Sequence, residues 1–154
     1  MKIKTIGLTV AICSLAGAVS FAADPQMGTW KLNEAKSKAT PGMGKVRMVT
    51  YKNTLGNVKV TVDGVDAKGK PTHSEWSGKI DGKDYPVTGD PNSDARSYTK
   101  VNDRTMDFAV KKGGKSTITG RIVVAADGKS RTVTTSGTNP SGRKVKTASI
   151  YDKQ

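Results

Sequence analysis

The chain has 154 residues, with 26 Lys and Arg against 13 Asp and Glu, a formal net charge of +13, and only 5% aromatic residues. A single His and a single Cys exclude a disulfide framework and a metal centre built on several imidazoles or thiolates. The length suits one domain, and the basic excess directs attention to anionic partners.

At the N-terminus, Lys2 and Lys4 precede an apolar run from Ile6 to Val19, and Ser20-Phe21-Ala22 places small residues at the −3 and −1 positions of a signal-peptidase site. Cleavage after Ala22 is expected, making residues 1–22 a signal peptide and 23–154 one domain, located in the periplasm or secreted. The apolar run is short for a transmembrane anchor and is followed by no stop-transfer charges. Cys13 leaves with the leader, so the mature chain has no thiol chemistry. Without Lys2 and Lys4 there remain 24 basic and 13 acidic residues, a net charge of +11.

The mature chain holds only two Leu, four Ile, thirteen Val and one Phe. So low an apolar share, with so high a charge, falls in the range associated with disorder. The pattern opposes that reading. Val58, Val60 and Val62 alternate with Lys59, Thr61 and Asp63, and Met106, Phe108 and Val110 alternate with Asp107, Ala109 and Lys111. A period of two belongs to half-buried strands.

The first strand is predicted over 27–32, followed by a polar connection, 33–44, with room for one helical turn. Further strands are predicted over 45–53, 58–66, 72–80, 95–101, 105–111, 116–125, 131–138 and 144–151, with a short additional one over 85–88. Turn signals centre near Gly56, Gly69, Gly82, Asn92, Asp103, Gly113, Gly128 and Gly142. This spacing holds one strand and a tight connection per interval and leaves no space for a crossover helix. Asp81-Gly82, Gly113-Gly114 and Asp127-Gly128 suit two-residue hairpin turns. The segment 81–92, with Pro86 and Pro91, is where the meander is expected to weaken, because proline cannot donate to a central ladder.

These elements predict an all-β fold: an antiparallel up-and-down meander of 8–10 strands closed into a barrel, with a two-sheet sandwich as the alternative. Closure pairs every strand edge, so stability depends less on a large core. The outward faces carry Lys, Arg, Thr, Asp and Ser, unlike the apolar band of a transmembrane barrel.

Gly28-Thr29-Trp30-Lys31-Leu32 resembles the opening motif of the calycins, the lipocalins and fatty-acid-binding proteins. The resemblance implies that Trp30 plugs the closed end of a barrel under a basic side chain from the far end of the chain. Arg143 or Lys146 are the candidates by position, and the last strand would pair with the first. The wider pattern, including Asp81-Gly82-Lys83-Asp84-Tyr85-Pro86-Val87-Thr88-Gly89-Asp90-Pro91, also resembles a group of small secreted bacterial proteins of unassigned role. In fatty-acid-binding proteins an Arg-x-Tyr pair on the last strand grips a carboxylate. Here Ser149 stands two residues before Tyr151, so that charge is absent from the last strand. The connection 33–44 suits the open loop of a lipocalin better than the two-helix insertion of a fatty-acid-binding protein.

If the barrel is hollow, a small amphiphilic or apolar ligand would meet Trp76, Tyr98, Phe108, Met106 and Ile122; the competing explanation is that these residues are core packing. Catalytic signals are thin. His73-x-Glu75 places imidazole and carboxylate on one strand face, but a metal site needs more ligands. Gly113-Gly114-Lys115-Ser116 lacks phosphate-loop spacing, and no serine sits in a nucleophile elbow. No enzyme, cofactor or metal is expected. Lys outnumbers Arg by 18 to 6 in the mature chain, and neither Arg forks nor aromatic platforms accompany them, so nucleic acid is not the expected partner. The expected role is to bind a small, partly apolar molecule in the barrel; an anionic envelope surface, met through lysine-rich turns on a filled barrel, is the alternative. The protein is expected to be a monomer and not an integral membrane protein.

Overall fold

A computed structural model describes residues 23–38, 40, 43–138 and 142–154; the expected signal peptide lies outside the described residues. Among these, the chain forms β1 (Gly28–Leu32), β2 (Lys45–Thr54), β3 (Asn57–Val65), β4 (Pro71–Gly78), β5 (Tyr85–Thr88), β6 (Ala95–Asn102), β7 (Thr105–Lys112), β8 (Lys115–Val124), β9 (Ser130–Thr138) and β10 (Lys144–Lys153). They close a barrel in the order β1-β10-β9-β8-β7-β6-β5-β4-β3-β2, every pairing antiparallel. The sandwich alternative is thereby displaced. The predicted strands all occur, with ends moved by one or two residues, as expected where ends are set by pairing and not by propensity.

Alternation decides which side of each strand faces in. Tyr51 lies opposite Val60, Val60 opposite Trp76 and Trp76 opposite Val87, so four adjacent strands contribute one continuous apolar row. Their intervening residues, Lys52, Lys59 and Glu75, face water, and Lys59 and Glu75 form an exposed ion pair at 2.9 Å. The core cluster includes Trp30, Tyr51, Val60, Trp76, Tyr98, Met106, Ile122 and Tyr151. At about 1.5–3 kcal/mol for each large side chain buried, so few residues stabilise the fold only because ring closure pairs the strand edges along most of the wall.

Ring closure rests on β1, whose Trp30 lies opposite Val49 of β2 on one side and Lys153 of β10 on the other. β1 ends before β10 does, and the exposed edge is covered by the following segment. Asn33 donates its backbone N–H to the carbonyl of Ile150 (2.8 Å) and Lys38 to that of Ala148 (3.3 Å), while the Ser37 hydroxyl accepts from the Ile150 N–H at 2.8 Å. The expected helical turn is present as a 3-10 turn, Glu34–Lys36, capped by the Asn33 side chain. β5 is the thinnest part of the wall, with two register pairs on each side, as Pro86 and Pro91 foretold.

The β2–β3 turn shows a local conflict. Leu55 and Gly56 both have positive φ, 39° and 88°, and the Leu55 side chain is fully exposed. Such a turn favours Asn-Gly, since a Cβ at positive φ costs about 1–2 kcal/mol and Asn tolerates it best. Leu55→Asn is therefore expected to stabilise the protein by about 1 kcal/mol, measured as a higher urea midpoint at unchanged slope. An unchanged or lower midpoint would show that the leucine is compensated elsewhere.

Candidate ligand site inside the barrel

The floor of the barrel is built on Trp30, which is completely buried and donates its indole N–H to the carbonyl of Gln26 at 2.9 Å. Gln26 in turn donates from its amide to the carbonyl of Arg104 at 3.1 Å, drawing the N-terminal segment across the closed end. Gly28 holds φ +106°, a conformation that selects glycine, and Cε of Lys153 lies 3.1 Å from where a Cβ would stand.

The cations over Trp30 are Arg131, 4.7 Å from the ring centroid, and Lys153, at 5.1 Å. This corrects the expectation placed on Arg143 and Lys146. Arg143 precedes β10 and Lys146 stands in its early part, whereas the strand meets β1 only at its far end, where Lys153 faces Trp30. Arg131 belongs to β9, opposite Val124 and Tyr151, and its guanidinium also lies 5.0 Å from the Tyr51 ring and 5.3 Å from that of Tyr151. Each such contact contributes about 0.5–2 kcal/mol. The missed signal was its phase: Arg131 alternates in step with inward-facing Val133.

Four of the five candidate ligand residues, Trp76, Tyr98, Met106 and Ile122, are buried in the core; Phe108 is half-buried. Trp76 and Tyr98 meet edge to face at 4.8 Å, Tyr98 and Phe108 lie 6.0 Å apart, and Met106 faces Ile122 across β7 and β8. The Phe108 ring rests over Gly120, leaving no space there for a Cβ. The structure therefore brings all five into one interior, with Phe108 towards its accessible part. Ile118 and Val133 are likewise inward-facing and half-buried.

A second inward cation, Arg96, was overlooked. It precedes Tyr98 by two residues, so the pair shares a face, and its Nη1 lies 3.4 Å from the Tyr98 hydroxyl. The indole N–H of Trp76 donates to the Arg96 carbonyl at 2.8 Å and pins this part of β6. The Nε of Arg96, and Nε and Nη1 of Arg131, are buried with no hydrogen-bond partner. Burial pushes the Tyr51 phenol well above its usual range; Tyr98 adds to this, and Arg131 and Arg96 oppose it without prevailing. The phenol is thus a neutral donor at ordinary pH.

The outer wall offers different chemistry. A groove of about 860 Å³ crosses β6–β10, lined by Thr99, Thr119, Arg121, Thr134, Ser136 and Lys146, among others. Most of the lining residues alternate with the inward-facing ones, so the groove opens on the outer wall, with Phe108, Gly120, Thr135 and Thr147 of the inward row at its base. Arg121 grips Asp107 through two bonds, of 2.6 and 2.8 Å. His73 is also on the outer wall, with Nδ1 2.6 Å from Asp63 and Nε2 3.7 Å from Glu75. Among the described residues no group of His, Cys, Asp and Glu is placed to hold a metal, and no helix is long and apolar enough to cross a membrane.

The geometry defines a ten-stranded up-and-down barrel with an aromatic floor and inward-facing cations. No family model and no curated protein matches the chain. Among solved structures it is similar to a redesigned β-barrel, mFAP1, bound to DFHBI, with 12% identity and a TM-score of 0.44 over 84% of this chain and 95% of that one. It is also similar to EF1p2_mFAP2b bound to DFHBI, with 11% identity and a TM-score of 0.45 over 84% and 94%. At this identity the likeness is one of chain trace.

Two outcomes are expected at these residues. Arg131→Ala should lower stability by about 3 kcal/mol through a cavity and lost ring contacts, whereas Lys146→Ala should shift it by less than about 0.5 kcal/mol; equal effects in denaturant unfolding would reinstate Lys146 as the floor cation. The His73 pKa is raised above 6.5, chiefly by its hydrogen bond to Asp63. The resulting stability is fully present below the unfolded pKa and is lost as pH rises through the folded one. A proton NMR titration should place the midpoint above 6.5, and Asp63→Asn should lower it; a midpoint that Asp63→Asn leaves unmoved would deny the contact.

Proposed function

We propose that this protein is exported after cleavage at Ala22 and, as a non-enzymatic monomer, binds a small, partly apolar molecule inside its barrel. One observation carries the reading: inward-facing Phe108, Ile118 and Val133 stay half-buried, Phe108 and Val133 packed against a core of Trp30, Met106, Ile122 and Tyr151 that is itself buried. An apolar inward wall that remains accessible is a surface a ligand can cover at about 25 cal/mol per Å². Its neighbours in the interior are aromatic, and amphipathic rings suit mixed ligands.

A second reading is favoured by the outside. The groove carrying Lys38, Arg121 and Lys146, with exposed Lys68, Lys70, Lys112 and Lys115 at turns, would attract anionic envelope polymers or lipid headgroups. The two differ in salt dependence. A neutral fluorescent probe, N-phenyl-1-naphthylamine, is expected to bind saturably with little effect of salt, and Val133→Trp, which fills the accessible space, to weaken it at least tenfold. No probe uptake, together with retention on anionic polymer that disappears at high salt, would replace the carrier by the surface binder.

A further inference from the structure

We propose that Arg96, assisted by the Tyr98 and Tyr51 hydroxyls, binds the oxyanion group of an amphiphilic ligand whose apolar part lies against Phe108. The inference rests on the carrier reading and assigns the chemical class of what is carried. Arg96 is 9% exposed, yet no described acid lies within ion-pair distance of it. Its Nε has no hydrogen-bond partner, and the one hydrogen bond of its guanidinium among the described residues, to the Tyr98 hydroxyl, is long at 3.4 Å. A buried charge left in this condition is destabilising by several kcal/mol, so either selection has tolerated a defect or the partner comes from outside the chain.

The surroundings favour an anion as that partner. Asp90 is the acid whose charge reaches Arg96, but one of its oxygens accepts from the Asn92 N–H at 2.9 Å and the other from the Ser93 hydroxyl at 2.7 Å. Arg131, which lies over the Tyr51 ring, likewise has no described acid in ion-pair range, so among the described residues the interior holds two positive charges and no buried carboxylate to balance them. Tyr98 lies between Arg96 and Phe108, touching both. A ligand with its oxyanion on the guanidinium fork would therefore run its apolar part over the half-buried Phe108. Guanidinium binds carboxylate and phosphate through the same two-pronged geometry, so the site names an oxyanion and leaves its source to experiment. The anchor stands on β6 and not on the last strand, where Ser149 precedes Tyr151.

Calorimetric titration of the purified protein with decanoate, decyl phosphate, decanol and inorganic phosphate tests this. Decanoate or decyl phosphate should bind at least tenfold more tightly than decanol. Whichever of the two binds more tightly identifies the source as carboxylate or phosphate. Arg96→Met should remove that preference, a loss of about 10- to 100-fold for the anions, with decanol unaffected, and should raise the melting temperature of the empty protein, which a structural arginine would not do. Equal binding of decanol and both anions by the unaltered protein, a comparison needing no variant, would overturn the assignment while leaving the carrier intact. So would an Arg96→Met protein that keeps its preference, or inorganic phosphate binding as tightly as decyl phosphate. Failure of all three decyl compounds to bind would instead overturn the carrier reading and this inference with it.

Discussion

The structure depends on the pairing of its first strand with its last. β1 is five residues long, yet it joins β2 to β10, and without it both of those strands would present unpaired edges. The chain cannot compensate for such edges with a large core, because it lacks the leucines and phenylalanines to build one. Closure converts a shortage of apolar side chains into an almost complete account of backbone hydrogen bonds. The same step places Trp30 at the floor, where Arg131 and Lys153 cover it, so ring closure and the sealing of one end are a single event.

Charge inside the barrel follows from the same geometry. A closed ring of ten strands encloses more space than the available Val and Ile can fill. The interior is therefore made up with aromatic rings and long cationic side chains, whose stems pack as apolar matter. Arg131 among three rings is explicable as floor packing. Arg96 is not, because among the described residues its guanidinium has one long hydrogen bond and an Nε without a partner. The difference between these arginines separates what the fold requires from what a ligand would complete.

Inside and outside thus divide the functional possibilities. The inner wall carries apolar and aromatic surface with buried guanidinium, while the outer wall carries hydroxyls, lysines and screened ion pairs such as Arg121–Asp107. An amphiphile suits the first and an extended polyanion the second. The His73 cluster belongs to the second class as well: bracketed by Asp63 and Glu75 on an exposed face, it is a surface electrostatic contact without a cleft around it.

By itself the sequence determined the strands, their turns and the closed meander, since these follow from short-range rules: a period of two in Val58–Val62 and Met106–Val110, glycines where positive φ is needed, and Gly28-Thr29-Trp30 at the start. It also predicted the weak segment around Pro86. The cation over Trp30 was decided only in three dimensions, because which of several basic residues reaches the floor depends on the stagger of β9 and β10, and a shift of pairing is invisible in one strand's own pattern. Arg96 was hidden for a related reason. Its spacing from Tyr98 puts both on one face, but whether that face is dry, and whether any carboxylate comes near, is settled by strands far apart in the chain.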